Sequence, residues 1–142
     1  GDLPVPTGRE PLVLISAGIG ATPMIGLLEH LVVEAPDLGV QVLHADRDAQ
    51  SHPLRARQRH LTDQLPNASL EVWYEDSVGA DIPGVHAGLL RLDAVPLADD
   101  AQIYLCGNNG FVHAVRAQLV DRGVPASRVH CELFSPNDWL LG

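Results

Sequence analysis

A glycine-rich turn near the start of the chain has the residue types and spacing needed to bind a phosphate group. Its sequence is Gly18-Ile19-Gly20-Ala21-Thr22-Pro23, between an apolar run at residues 11–15 and an amphipathic run at residues 24–35. This succession predicts a strand, a tight corner and a helix. Backbone N–H groups at such a corner point towards one position, at the positive end of the helix dipole. We therefore expect a pyrophosphate there, and with it a nucleotide.

The turn departs from the dinucleotide-binding fingerprint at one position. The fingerprint is Gly-x-Gly-x-x-Gly, and Pro23 takes the place of its third glycine. Pro23 suits the first turn of a helix, and Thr22 is a suitable N-cap. We expect the backbone at Gly20 to approach the phosphate closely, so that Gly20→Val abolishes nucleotide binding and leaves the fold largely intact. Glycine corners also occur in α/β proteins that bind no phosphate, which leaves that alternative open.

Asp46 could contact the sugar of a nucleotide. It closes an apolar run at residues 40–44, and an acid at a strand end can accept hydrogen bonds from an adenine ribose. That role favours NADH over NADPH, because the carboxylate would repel a 2′-phosphate. The adjacent Arg47 could instead pair with such a phosphate. An exposed loop acid is an equally good interpretation of Asp46.

Two further candidate positions lie in the second half of the chain. Cys106-Gly107-Asn108 forms another glycine corner after an apolar run, and its thiol could lie against a nicotinamide ring. Cys106 could equally be a small buried hydrophobe, and no cation is predicted beside it to make it a nucleophile. Glu132 and Phe134 alternate on the last predicted strand and so share one face. The ring could cover a flat cofactor, whereas a core Phe beside a solvated Glu is the alternative.

The elements that must position these residues alternate along the chain. Strands are predicted at residues 12–16, 40–44, 70–74, 102–106 and 129–134, and helices at 24–35, 54–65, 86–92 (short) and 111–120. The order predicts an α/β fold with a doubly wound, five-stranded parallel sheet and helices on both faces. Right-handed crossovers place the ligand crevice at the carboxyl ends of the strands. The candidate residues all fall at or near those ends.

Composition excludes several classes of function. The 142 residues suit one domain, the net charge is −9, and all nine basic residues are arginine. An acidic surface disfavours nucleic acid and anionic membranes. The lack of lysine excludes a P-loop and Schiff-base chemistry, and it argues against a receiver domain. No cysteine or histidine spacing indicates a metal site, and no signal pattern is visible, so we expect a cytoplasmic protein.

Three motifs, taken in order, resemble the NAD(P)-binding domain of the ferredoxin–NADP⁺ reductase superfamily. They span residues 14–24, 104–107 (Tyr-Leu-Cys-Gly) and 132–134 (Glu-Leu-Phe). The tail at residues 132–140 resembles the Glu-x-Phe-Gly-Pro ending of bacterial flavohaemoglobins, and the chain is most similar to their C-terminal domain. The resemblance covers essentially the whole chain.

The resemblance implies a domain of a flavin-dependent oxidoreductase in which hydride passes from NAD(P)H to FAD. A preceding β-barrel domain would hold most of the FAD, residues 1–10 would be the connector from it, and residues 11–142 the NAD(P)-binding domain. The chain alone would be inactive. Electrons would leave for a globin haem, as in nitric oxide dioxygenases, or for an iron–sulfur domain. The alternative is a regulatory or ferredoxin/iron–sulfur-linked module with impaired hydride transfer.

The resemblance also implies a role for each candidate residue. Cys106 and Glu132 would be catalytic, with Gly107 and Asn108 beside the nicotinamide. The residues implied at the pyrophosphate are Gly18, Ile19, Gly20, Ala21, Thr22 and Pro23, and those implied at the flavin are Leu133, Phe134, Ser135 and Pro136. Asn108 stands where the family usually has Pro, and it is the one hint of the regulatory alternative. Ser135 stands where flavohaemoglobins often have Gly.

Overall fold

The computed structural model describes residues 6, 8–76 and 82–133, which form six strands and three α-helices within those ranges. The strands are β1 (Leu12–Ala17), β2 (Val40–Asp46), β3 (Ala68–Tyr74), β4 (Val85–Ala87), β5 (Gln102–Gly107) and β6 (Val129–Leu133). The helices are α1 (Ala21–Glu34), α2 (Arg55–Asp63) and α3 (Asn109–Asp121). A 3-10 turn, Gly18–Gly20, joins β1 to α1.

All six strands belong to one parallel sheet in the order β4-β3-β2-β1-β5-β6. The predicted doubly wound α/β architecture is confirmed, but the prediction of five strands was wrong. The short helix expected at residues 86–92 is replaced by β4, in which Val85 pairs with Val72 and Ala87 with Tyr74. Three residues are too few for strand alternation to be visible in a sequence. Gly88, at φ +96°, then ends the strand.

Each face of the sheet carries its own hydrophobic core. On one face Leu14 packs in a cluster with Leu28 of α1 and Leu61 of α2. On the other face Ile15 packs in a cluster with Val115 of α3. Neighbouring strand residues are therefore buried on opposite sides, which explains the continuous apolar runs of the central strands. Helices cover both faces, as predicted.

The start of α1 differs from the sequence-based expectation. Gly20, at φ −57° and ψ −15°, is already helical and occupies the N-cap position, so Thr22 lies inside the first turn. The prediction of Thr22 as the N-cap was wrong, because the 3-10 turn runs directly into the helix. Pro23 does lie in the first turn, as expected.

Side chains of α3 hold the segment that follows β4. Gln118 Nε2 donates to the Leu90 carbonyl at 3.0 Å, and Gln118 Oε1 accepts from the Leu92 backbone N–H at 2.8 Å. Arg122 Nη1 donates to the Leu92 and Val95 carbonyls at 2.6 and 3.3 Å. These bonds fix residues 90–95 against α3 and so shape one wall of the cleft described below.

In the part of the chain that the structure describes, no helix has the length and apolarity needed to cross a membrane.

Candidate functional site

A cleft of about 700 Å³ opens at the carboxyl ends of the strands. It lies where β1 and β5 are neighbours, and the chain leaves these two strands in opposite directions across the sheet. Such a switch point is where open α/β sheets bind ligands. The cleft is lined by Ala17, Gly18, Ile19, Ala45, Asp46, Arg47, Glu75, Gly88, Leu89, Leu90, Gly107, Asn108, Gly110, Phe111, Ala114, Val115 and Gln118.

The two glycines of the first corner have different surroundings. Gly18 lines the cleft at φ +54°, a conformation that favours glycine, and a Cβ added there would meet no atom within 4 Å. Gly20 is buried, and a Cβ there would come within 2.7 Å of the Cys106 carbonyl carbon. The expectation that Gly20 could be enlarged without disturbing the fold was therefore wrong. Gly20 permits close packing of the corner against β5.

The rest of the predicted pyrophosphate loop turns away from the cleft. Ile19 lines it together with Gly18, whereas Ala21 is buried in the protein and Thr22 is exposed outside it. Pro23 is half-buried and also lies outside the cleft lining. Contacts of Ala21, Thr22 and Pro23 with a phosphate stay predictions.

Charged side chains gather where β2 and β3 end. Asp46, Arg47 and Glu75 line this part of the cleft, which we call the polar edge. Asp46 Oδ2 lies 3.0 Å from His44 Nε2, and Asp46 Oδ1 accepts from the Arg47 backbone N–H at 3.0 Å. Arg47 is the one cationic side chain among the described residues that line the cleft. The carboxylates of the polar edge can therefore accept hydrogen bonds from the hydroxyl groups of a sugar.

Cys106 is fully buried below the second glycine corner and does not itself line the cleft, although Gly107 does. Burial raises the pKa of its thiol to about 12, with a smaller contribution from the Glu132 carboxylate. Cys106 and Glu132 are opposite each other in the β5–β6 register. A thiol with this pKa is protonated at neutral pH, so Cys106 does not act as a nucleophile in this state.

The structure places the C-terminal candidates at the end of β6. Glu132 is half-buried, and the side chain of Leu133 is exposed. Phe134, Ser135 and Pro136, predicted to contact the flavin, lie outside the described residues. Their role remains a prediction.

Asn108 has a structural task at the second corner. Its Oδ1 accepts a hydrogen bond from the Phe111 backbone N–H at 2.9 Å, which makes Asn108 the N-cap of α3. The side chain thus accepts from a backbone N–H group, which proline could not do because its side chain has no acceptor. This capping contact gives Asn108 a role in the fold, and its effect on hydride transfer stays a prediction.

Sequence reasoning missed the apolar wall of the cleft. Leu89, Leu90, Phe111, Ala114 and Val115 form it, from α3 and the segment after β4. Their helical spacing on α3 was visible, but which face the helix turns to the cleft depends on the tertiary packing. An apolar wall opposite a polar edge is the usual composition of a small-molecule site.

A buried histidine pair was also missed. His44 and His52 stack with ring centroids 3.9 Å apart and an interplanar angle of 14°. His52 Nδ1 lies 2.7 Å from the Tyr74 hydroxyl, and His52 Nε2 lies 2.9 Å from Gln58 Oε1. Burial, and then the proximity of His44, lowers the pKa of His52 to about 4.

Among the described residues, no cluster of three potential metal ligands occurs.

The low pKa of His52 links the stability of the fold to pH. In the unfolded chain, His52 binds a proton below about pH 6.5. In the folded chain, the His52 ring stays neutral until the pH falls to about 4. We therefore expect the free energy of unfolding to fall as pH falls from 6.5 to 4, by up to about 3 kcal/mol from this residue. Urea denaturation at several pH values measures the slope.

The comparison for this prediction uses two histidine variants. His52→Gln should flatten the pH dependence, whereas the exposed His113→Gln should leave it unchanged. Equal slopes in the wild-type chain and His52→Gln would contradict the assignment.

Comparisons with known proteins show which family and which solved structures the chain is similar to. The model of the oxidoreductase NAD-binding domain family matches residues 14–117. A flavohemoprotein from Deinococcus radiodurans is 37% identical over 143 residues, covering 96% of this chain and 36% of the relative. The chain therefore spans about a third of the length of that relative.

Two solved structures share the fold. The flavohem-like FAD/NAD binding domain of nitric oxide dioxygenase from Vibrio cholerae O1 biovar El Tor matches with a TM-score of 0.86 and 37% identity, over 96% of this chain and 56% of that one. A flavohemoglobin from Malassezia yamatoensis, with bound FAD and heme, matches with a TM-score of 0.82 and 26% identity, over 92% of this chain and 33% of that one.

Proposed function

The chain belongs to the oxidoreductase NAD-binding domain family, and on that premise we propose that it binds NAD(P)H and presents it to a flavin held mainly by a preceding domain. The observation that carries the proposal is the cleft at the switch point, where the glycine corners after β1 and β5 meet. A Cβ added at Gly18 would meet no atom within 4 Å, which leaves room for a diphosphate beside the backbone of the first corner. The predicted relation to flavohaemoglobins is confirmed at the level of this domain.

We place the dinucleotide along the cleft. We assign the diphosphate to the backbone at Gly18 and Ile19, and the adenine ribose to Asp46. The nicotinamide then lies towards Gly107, near Cys106 and Glu132. The dihydronicotinamide supplies the hydride when bound, and the protein contributes position and exclusion of water. The apolar wall serves the second purpose.

Docking of a flavin domain is proposed at the β6 side of the sheet. β6 is an edge strand, and Leu133 at its end leaves 54% of its side chain exposed. An exposed large apolar side chain beside a ligand site fits contact with a neighbouring domain. Leu133 and the residues after it are therefore assigned to the flavin contact.

The activity of the whole protein is proposed from its relatives. We propose residues 1–10 as the connector from an FAD-binding β-barrel, residues 11–142 as the NAD(P)-binding domain, and a globin as the electron acceptor, which gives a nitric oxide dioxygenase. Without the flavin-binding and electron-acceptor domains, the chain should have no catalytic activity. A cytoplasmic location is proposed because Cys106 and Cys131 are both unpaired thiols.

Calorimetric titration with NADH and NADPH tests the proposal. We expect NADH to bind more tightly, because the carboxylates of Asp46 and Glu75 outweigh the attraction of Arg47 for a 2′-phosphate at the polar edge. Asp46→Asn should narrow the preference about tenfold, the effect of about 1.4 kcal/mol of charge repulsion. The exposed Asp121→Asn, at the far end of α3, is the control. Failure of both nucleotides to bind would overturn the cofactor assignment.

A further inference from the structure

A buried chain of hydrogen bonds runs from β1 to the polar edge of the cleft. Ser16 Oγ lies 2.7 Å from His44 Nδ1, and His44 Nε2 lies 3.0 Å from Asp46 Oδ2. Ser16 and His44 are both completely buried, at 0% exposure. Asp46 is the member of the three that lines the cleft. An interior polar chain thus ends on the carboxylate assigned to the ribose.

The directions of these hydrogen bonds follow from the chemistry of Asp46. An ionised carboxylate only accepts hydrogen bonds, so His44 Nε2 must carry a proton and donate a hydrogen bond to Asp46. In the neutral ring Nδ1 then accepts from the Ser16 hydroxyl. Because Asp46 Oδ1 accepts from the Arg47 backbone N–H, both carboxylate oxygens are held in place. Each oxygen keeps a lone pair for an incoming hydroxyl.

His52 fixes the plane of the His44 ring. The two rings stack, and His52 is itself held by the Tyr74 hydroxyl and the Gln58 side chain. His52 belongs to the segment between β2 and α2, so the stack also ties that segment to the sheet. Rotation of the His44 ring would break the stack and both of its hydrogen bonds.

We propose that His44, backed by His52, is a positioning residue that holds the Asp46 carboxylate in the orientation that selects NADH over NADPH. This inference rests on the proposed function, because it requires a nucleotide in the cleft. With its orientation fixed, the carboxylate offers both oxygens to the ribose hydroxyls and opposes a 2′-phosphate. Without the His44 donor, the carboxylate rotates away and both effects weaken.

Two variants of His44 separate its donor role from its bulk. The amide of Gln reaches the position of Nε2 and can still donate to Asp46, whereas the shorter Asn reaches the position of Nδ1 and cannot. We expect His44→Asn to reduce the NADH-to-NADPH affinity ratio about fivefold, the effect of one hydrogen bond. His44→Gln should stay within about twofold of the wild-type ratio.

A double-mutant cycle shows whether His44 acts through Asp46. In the Asp46→Asn background, His44→Asn should leave the affinity ratio unchanged, because the carboxylate that it orients is gone. An unchanged ratio in the single variant His44→Asn, or an equal loss in His44→Gln, would overturn the proposal. If the wild-type chain binds neither nucleotide, the proposed function itself fails.

A measurement on the wild-type chain covers the case in which a variant does not fold. Nitrogen-15 NMR of the imidazole groups distinguishes the two ring tautomers. We expect His44 to be protonated at Nε2, with a proton protected from solvent exchange. An Nδ1-protonated neutral ring would remove the donor to Asp46 and contradict the inference, whatever the variants do.

Discussion

Gly20→Ala is expected to lower the free energy of unfolding by about 3 kcal/mol or more, because the new methyl group overlaps the backbone of β5. The added Cβ would come within 2.7 Å of the Cys106 carbonyl carbon and 3.2 Å of the Gly107 backbone nitrogen. Backbone atoms of a central strand cannot move aside as a flexible side chain can. Urea denaturation followed by circular dichroism measures the loss.

Gly26→Ala is the matched control for this change. Gly26 lies on the same helix, and a Cβ there would meet no atom within 4 Å. Alanine is the better helix former, so this variant should gain about 0.5–1 kcal/mol of stability. A Gly20→Ala chain as stable as wild type would show that the corner and β5 are not closely packed.

Gly18→Asn is expected to weaken NADH binding about tenfold or more while leaving the fold intact; a factor of ten corresponds to about 1.4 kcal/mol. Gly18 lines the cleft, and the space beside it is open, so a side chain there occupies volume assigned to the diphosphate. Asn tolerates a positive φ better than most residues, which limits the backbone strain at φ +54°. Calorimetry gives the affinity, and thermal unfolding gives the stability.

Gly123→Asn provides the comparison for that loss of affinity. Gly123 also has a positive φ of +78° and open space around it, but it follows α3 and lies outside the cleft lining. This variant should bind NADH as the wild type does. Retained affinity in Gly18→Asn would place the diphosphate elsewhere.

The central strands could be predicted from the sequence because both faces of the sheet are covered. A strand buried on both sides has a continuous apolar run, and β1, β2 and β5 were each located to within two residues. The short β4 carries no such run, since it has three residues and pairs with β3 alone. The sequence therefore predicts a short helix at residues 86–92 instead.

The candidate site was predictable only in part, because several of its contacts join distant segments. Gly18 and Gly20 are both glycines and lie two positions apart, so the sequence does not distinguish them. Only the position of β5 shows that Gly18 borders the cleft and that Gly20 packs against Cys106. His44 and His52 are polar residues that a sequence places at the surface. The burial of His44 depends on the pairing of β1 with β2, which sets Ser16 opposite His44. His52 is buried where it stacks on His44.

The central position of β1 has a consequence for synthesis on the ribosome. Leu14 pairs with Val42 on one side and with Tyr104 on the other, so β2 is available to β1 long before β5. A nascent chain emerges from its N-terminus and meets nearby partners first. The β1–β2–β3 half can therefore assemble while one edge of β1 stays open. The cleft is complete only after β5 and then α3 have emerged, because both line it, so ligand binding becomes possible late in synthesis.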